Sequence, residues 1–158
     1  MHFNPRTIAF AAVASLLALA ILRAADAPKA AGLDDDKALQ GSWVIDSAEF
    51  KATRSPELVG STLTFAAGKV SLSRKDKERP SQSAYVLRPS SSPKEIELTP
   101  LDDSGKADGS KTIRGIYRLE GDTLRICMND RAGPDPTPVE FKTDKYSNDV
   151  LLVLTRQK

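Results

Sequence analysis

The chain has 158 residues, of which 40% are hydrophobic and 28% charged, and its 23 basic and 21 acidic side chains give a formal net charge of +2. This length suits a single domain. A charge so close to zero argues against a protein that binds nucleic acid or an acidic membrane, because such proteins carry a basic excess or a basic cluster.

The first 25 residues differ from the rest of the chain. Residues 1–25 contain Arg6 and Arg23 but no acid, and Ile8–Leu22 has 14 apolar residues in 15. This pattern predicts a signal peptide cleaved close to Ala25, since the apolar stretch is shorter than the ~20 residues of a membrane-spanning helix. We therefore expect an exported protein of the periplasm, cell envelope or extracellular space. An uncleaved N-terminal anchor is the alternative, and it would be the only link to a membrane.

The domain itself is expected to span residues 39–158. Residues 26–38 are rich in Ala, Gly and Asp, which predicts a flexible tether that ends in a short helical turn. Asp36 is expected to cap this turn, because a carboxylate accepts hydrogen bonds from the free backbone N–H groups at a helix start. Without the two leader arginines, the chain has 21 basic and 21 acidic side chains.

Short runs of strand-forming residues follow, separated by turn residues and without a long helical pattern. Strands are expected at residues 41–50, 61–65, 69–73, 82–87, 95–99, 111–119, 123–128, 139–142 and 150–156, with a helical turn at 56–60 and a proline-rich loop at 133–138. Sequential hairpins favour an all-β fold, an antiparallel up-and-down barrel of about eight strands, over a sandwich.

One hairpin can be aligned from the sequence alone. Gly121 and Asp122 fit a two-residue turn, because glycine adopts a positive φ freely and aspartate tolerates it. Counting outward from this turn pairs Tyr117 with Ile126. Both side chains are therefore expected on the inner face of the barrel.

The same alignment places two arginines opposite each other on the outer face. Arg118 faces Arg125, and like charges across two strands are unfavourable by a few tenths of a kcal/mol. Glu95 and Glu97 on the preceding strand are their expected ion-pair partners.

Several stretches together resemble a known family. They are residues 39–43 (LQGSW), 63–65 (LTF), 93–99 (PKEIELT), 115–127 (GIYRLEGDTLRIC) and 150–154 (VLLVL). The chain resembles the small secreted lipocalin-like domain of unknown function that is abundant in planctomycete bacteria, from about residue 39 to residue 156. This resemblance implies export and a lipocalin-like barrel. It carries over no catalytic residues, because none are assigned in that family.

The residue inventory excludes several chemistries. His2 is the only histidine and lies in the leader, so catalysis by a Ser-His or Cys-His pair and His-containing zinc sites are excluded from the domain. Cys127 is the only cysteine and is expected to be buried; pairing with another molecule is its alternative. We expect neither a cofactor nor a metal, and no enzyme activity. A hydrolase that uses a carboxylate pair is the remaining catalytic alternative.

The barrel interior is the expected binding site. An eight-stranded barrel is just wide enough to be filled by its own side chains or to hold one small ligand. The candidate ligand-binding side chains are Trp43, Phe65, Tyr85, Tyr117 and Ile126. A solid core made of the same residues is the alternative.

The first and last strands are apolar on both faces, although a solvated barrel should leave one face polar. They lie side by side where the barrel closes. We call the outward residues Val44, Leu151 and Val153 the seam, and expect either the turn around Leu39 or a partner protein to cover it.

Two functions follow from these features. The first is an exported, monomeric, non-enzymatic binding domain that holds a small apolar ligand. The alternative is a structural or protein-interaction module of the cell envelope with a solid barrel core. An internal cavity of a few hundred Å³ that opens at one end would favour ligand binding.

Overall fold

The computed structural model describes residues 31–107 and 109–158. The predicted signal peptide therefore lies outside the described residues, as does the start of the predicted tether. The elements are α1 Ala31–Leu39, β1 Gly41–Phe50, β2 Thr53–Arg54, a one-turn 3-10 helix Pro56–Leu58, β3 Thr62–Ala66, β4 Lys69–Ser73, β5 Ser81–Arg88, β6 Glu95–Pro100, β7 Ile113–Glu120, β8 Thr123–Asn129 and β9 Asp149–Arg156.

The predicted antiparallel barrel is confirmed. Strand β1 pairs with β3, each strand from β3 to β8 pairs with the next along the chain, and β9 pairs back with β1. Eight strands thus form a closed up-and-down barrel, and the two-residue β2 pairs with β1 outside this ring. Closure leaves none of the eight strands with an unpaired edge.

The predicted hairpin alignment is also confirmed. Tyr117 lies opposite Ile126, and Arg118 lies opposite Arg125. In the turn, Gly121 has a φ of 60°. Glycine therefore supplies the left-handed conformation that the tight turn requires.

The predicted ion pairs beside this hairpin are wrong. Neither Glu95 nor Glu97 forms an ion pair with the hairpin arginines in the described part of the chain. The Oε2 atom of Glu97 accepts from Arg88 at 2.9 Å instead. Glu97 lies opposite Arg114 on β7, four residues from Arg118.

Residues 130–148 form a long segment that we call the outer loop. The predicted strand over residues 139–142 is wrong, since this segment has no strand. Its three prolines lack the N–H groups that a strand needs, and the loop instead contacts the outside of the barrel. The Cys127 thiol lies 3.6 Å from the carbonyl oxygen of Lys142, and Thr143 donates to Glu49 at 2.5 Å.

The outer loop explains the state of the single cysteine. Cys127 is fully buried, which confirms the expectation of a buried residue. Burial, together with the nearby Asp149 carboxylate, raises the pKa of the Cys127 thiol to about 11. At neutral pH the thiol is therefore protonated and enclosed, and it behaves as a small apolar side chain.

Helix α1 precedes the barrel and packs against it. It begins at Ala31, five residues before Asp36, so the prediction that Asp36 caps the helix is wrong. The Asp36 carboxylate accepts a hydrogen bond from Tyr85 on β5 instead. Leu39, the last helical residue, is fully buried in the core.

The core runs from α1 into the middle of the barrel. Its buried apolar side chains are Leu39, Trp43, Ile45, Ala48, Leu63, Phe65, Val70, Tyr85, Ile96, Tyr117, Leu124, Ile126, Leu152 and Leu154. Alternate residues of each strand supply them, as expected for strands with one face inside the barrel.

Candidate functional site

The two ends of the barrel are built differently. We call the end that carries α1 the closed end, and the cavity at the opposite end the open cavity. The closed end is filled by aromatic side chains and bonded to α1. The open cavity has a volume of about 320 Å³.

Trp43 anchors α1 to the closed end. Its indole N–H donates to the carbonyl oxygen of Leu39 at 2.8 Å. The Arg156 guanidinium lies 4.1 Å from the centre of the Trp43 ring and donates to the carbonyl oxygens of Gln40, at 2.9 Å, and Ala38. These donors satisfy carbonyl groups that a helix end leaves without intrahelical partners, and the cation suits the negative end of the helix dipole.

Asp35 forms the first side-chain link between α1 and the barrel. One of its oxygens accepts from the Tyr117 hydroxyl at 2.5 Å and from Lys94 Nζ at 2.7 Å. Burial raises the pKa of Asp35, but the hydrogen bonds from Lys94 and Tyr117 outweigh this effect and lower it below 3.8. Burial and the Asp35 carboxylate raise the pKa of Tyr117 well above its ordinary value of 10.0.

Asp36 forms the second link. Its Oδ1 atom accepts from the Tyr85 hydroxyl at 2.5 Å, and the same hydroxyl accepts from Gln40 Nε2 at 2.8 Å. Burial, followed by the hydrogen bond to Asp36, raises the pKa of Tyr85 to about 12. Both tyrosine hydroxyls at this end are therefore committed to holding α1.

The five side chains predicted to bind a ligand all lie in the core. They are Trp43, Phe65, Tyr85, Tyr117 and Ile126, and each is at most 7% exposed. The rings of Phe65 and Tyr85 meet edge to face at 5.3 Å. None of the five lines the open cavity within the described part of the chain. A ligand could reach them only by displacing part of this core.

The open cavity lies on top of this core. Its floor consists of the buried Ile45, Leu63, Val70 and Leu152, and its wall of the half-buried Leu58, Leu72, Leu98, Ile113, Met128 and Val150. These side chains are all aliphatic or thioether groups. Apolar contact therefore comes from every strand of the barrel except β5, which contributes two serines, and from the 3-10 helix, which contributes Leu58.

The cavity exists because the inward side chains near the open end are smaller than those at the closed end. Ser83 lies opposite Val70 on the inner face of β5, two residues before the aromatic Tyr85. Gly115 faces Met128, and a Cβ atom at residue 115 would lie 2.7 Å from the Met128 Cβ. Glycine is therefore required there for β7 and β8 to approach this closely.

Polar groups surround the cavity mouth on two sides. Arg74 directly follows β4 and the two serines Ser81 and Ser83 belong to β5, whereas Asn129 and Asp130 lie at the end of β8. These groups are few and stand above an apolar interior. Such an arrangement is typical of sites that bind a small molecule and fix its orientation.

The Asn129 side chain is part of the scaffold of this mouth. It is buried, and its Nδ2 atom donates to the Pro136 carbonyl oxygen at 3.1 Å and to Asp149 at 3.2 Å. Its Oδ1 atom accepts from the Arg114 backbone N–H at 3.3 Å. The amide ties the outer loop to β7 and β9, and its hydrogen-bonding groups are already in use.

A second hollow lies between the outer loop and the barrel. It is open to solvent, and its lining includes Asp135, Asp144 and Asp149. Burial, and then the charges of Asp144 and Asp135, raises the pKa of Asp149. This hollow comes closest to the carboxylate pair of the hydrolase alternative. However, the Asp144 carboxylate already accepts from the backbone N–H groups of Tyr146 and Ser147, at 2.7 and 2.8 Å.

Two further properties hold for the described residues. They contain no group of three or more His, Cys, Asp or Glu side chains that could hold a metal ion. No helix among them is both long and apolar enough to cross a membrane.

The predicted seam is half-buried. Val44, Leu151 and Val153 lie on the outer side where β1 pairs with β9, and each keeps some exposure. Leu39 itself is buried in the core at the closed end, so its side chain does not lie over the seam. The outer loop lies beside part of the seam instead, since it contacts Cys127, the residue opposite Leu151. A partner protein on the seam stays a prediction.

No protein-family model, curated protein or solved structure matches the chain.

Proposed function

We propose that this chain is an exported, non-enzymatic binding domain that holds a small apolar molecule in the open cavity. One observation carries the proposal: a cavity of about 320 Å³ with an aliphatic lining opens at one end of an otherwise packed barrel. Ligand pockets of proteins have volumes of about 300–1,000 Å³ and combine a mostly apolar lining with a few polar groups.

The lining supplies the free energy for binding. Apolar surface removed from water stabilises a complex by about 25 cal/mol per Å². The cavity wall is already formed, because every lining strand is paired on both sides in the closed barrel. A preformed wall lowers the cost of ordering the site when the ligand enters.

The closed end supports this site from below. Ile45 and Leu63 form part of the cavity floor and also belong to the continuous core around Trp43. A ligand therefore meets a fixed floor. The same packing allows entry only from the open end.

The first test is native mass spectrometry of the protein purified from its own host. We expect a retained small molecule that is released when the protein is denatured. In parallel, an apolar fluorescent probe is titrated into the wild type and into Leu98→Trp, which fills the cavity from its wall. The control is Val86→Trp on the outer face of β5, where the native side chain is 57% exposed.

We expect Leu98→Trp to abolish probe binding, and Val86→Trp to bind like the wild type. Ser83→Leu is a second filling variant, in case the tryptophan perturbs folding; circular dichroism and thermal unfolding report that effect. Equal binding by the wild type and both filling variants would overturn the proposal, as would a wild type that binds neither the probe nor a host molecule.

The second candidate function is a protein-interaction module of the cell envelope. Its supporting observation is that Val139 and Tyr146 on the outer loop are 75% and 82% exposed, and that the seam is only half-buried. A cross-linking experiment in the host, with a photoreactive group at residue 146, distinguishes the two. A specific cross-linked partner, together with an empty cavity, would favour this candidate.

A further inference from the structure

We propose that the ligand of the open cavity is an amphiphile whose carboxylate binds Arg74 at the mouth while its apolar chain fills the interior. This inference rests on the proposed function and adds the chemical class of the ligand. It is carried by the unused donors at one side of the mouth and by the charge around them.

Arg74 is a fixed cation at the rim. Its Nε and Nη2 atoms each donate to Asp76 at 2.9 Å, which forms a two-point ion pair. A guanidinium group has five N–H donors in one plane. Asp76 therefore orients the group and leaves three donors, which bond no other residue in the described part of the chain.

Two hydroxyl groups lie on the same side of the mouth. Ser81 and Ser83 both line the cavity, and neither hydroxyl bonds another residue within the described part of the chain. Ser83 is half-buried on the inner face, where the other side chains are apolar. Together with Arg74, they form a group of donors that an oxygen-bearing ligand could use without displacing a protein contact.

The charge around the mouth favours an anion. The connection from β4 to β5, residues 74–80, carries four basic and two acidic side chains, although residues 26–158 as a whole are balanced. Asp130 stands across the mouth on the β8 side. A negatively charged head group is thus attracted to the Arg74 side and repelled from the opposite side.

The cavity volume limits the length of the apolar chain. At about 30 Å³ for each water-sized group, 320 Å³ holds roughly ten such groups. A chain of about nine or ten carbons matches this volume, with its carboxylate at the rim. Guanidinium groups bind carboxylates through paired hydrogen bonds, which fits a head group at Arg74.

The test compares decanoate with decan-1-ol, which share the same chain length but differ in the head group. Isothermal titration below the micelle concentration at pH 7.5 is applied to the wild type, Arg74→Gln and the control Arg88→Gln. Arg88 makes a comparable 2.9 Å ion pair with Glu97 but lies outside the cavity lining. Because Asp76 is largely exposed, it can be solvated when Arg74 is replaced.

We expect the wild type to bind decanoate more tightly than decan-1-ol. Arg74→Gln should weaken decanoate binding about tenfold to a hundredfold, the range for a lost charge-assisted hydrogen bond. The same variant should change decan-1-ol binding less than twofold, and Arg88→Gln should match the wild type for both ligands. Added salt should reduce the preference for decanoate.

The other outcomes separate this inference from the proposed function. If the wild type binds both ligands equally and Arg74→Gln changes neither, the cavity binds a neutral molecule and the carboxylate inference is overturned. An equal loss for both ligands in Arg74→Gln also overturns it, because Arg74 would then only support the wall. If the wild type binds neither ligand and no apolar probe, the proposed function fails.

Discussion

The closed end and the open end of this barrel use the same strands and the same alternation, yet one is solid and the other is hollow. At the closed end the inward residues include Trp43, Phe65, Tyr85 and Tyr117, which fill the ring of strands. Near the open end they are aliphatic residues and Ser83. Barrel width alone therefore does not decide whether an eight-stranded barrel is empty, since the size of the inward side chains also matters.

The two ends also differ in how they use polar groups. At the closed end Asp35, Asp36 and the two tyrosine hydroxyls bond each other and hold α1. At the open end Arg74 and the two serine hydroxyls line the cavity and keep donors that bond no other residue among those described. Polar groups that are already paired fix the structure, whereas donors that are still free can bind a ligand.

The largest expected difference between the ends concerns truncation of a large side chain. Trp43→Ala should lower the free energy of unfolding by about 3–5 kcal/mol, because it creates a cavity in a packed region. Leu98→Ala, at the wall of the open cavity, should cost only about 1–2 kcal/mol, because its site already borders empty space. Urea unfolding followed by circular dichroism measures both values. If both variants lost the same free energy of unfolding, the contrast between a solid and a hollow end would be contradicted.

A smaller loss of stability is expected when the pH is raised above 10. The pKa of Tyr85 is raised from 10.0 to about 12, so its contribution to stability is complete below pH 10 and is lost as the pH rises toward 12. The loss should amount to roughly 1–3 kcal/mol. The pKa of Tyr117 is also raised, so its contribution to stability is likewise lost at alkaline pH. The pKa of Asp35 is lowered, so its contribution to stability is present above pH 3.8 and is lost as the pH falls further.

Urea unfolding between pH 9 and pH 12 tests this effect. Tyr85→Phe should remove part of the alkaline loss, because it has no proton to release. Tyr146→Phe, at a tyrosine that is 82% exposed, is the matched control and should follow the wild type. A Tyr85→Phe protein with an unchanged alkaline loss would show that the closed end does not respond to this hydroxyl.

The smallest expected effects come from removing single hydroxyl groups. Tyr117→Phe should cost about 0.5–1.5 kcal/mol, because the half-buried Asp35 carboxylate loses one donor but keeps Lys94. Ser83→Ala at the open end should change the stability by less than about 0.5 kcal/mol, because its hydroxyl forms no hydrogen bond with another of the described residues. Thermal unfolding of the two variants measures both losses of stability. A larger loss for Ser83→Ala than for Tyr117→Phe would contradict the expected order.

The strands and their alignment were predictable because they depend on local patterns. Strands β1 and β4 occur at the predicted residues, and the turn at Gly121 set the pairing of β7 with β8. The side chains predicted for the interior are indeed buried. A period of two along a strand and a two-residue turn are both visible within about ten residues.

The contacts at the closed end and the cavity at the open end were not predictable from local patterns. Asp35 and Asp36 lie in an Ala- and Asp-rich stretch that reads as solvated, yet their partners Tyr117 and Tyr85 lie 82 and 49 residues away. The cavity depends on which strand ends come together, and this follows from the barrel as a whole. The one local signal was Ser83, a small polar residue at an inward position of a predicted strand.

The contact of Arg156 with the end of α1 has a practical consequence for handling the protein. It brings the end of the last strand to the same end of the barrel as α1, so both lie opposite the cavity mouth. A fusion partner, an affinity tag or a surface linkage attached after β9 will therefore start at the closed end, away from the mouth. Protein immobilised through this end should leave its cavity open to the solution.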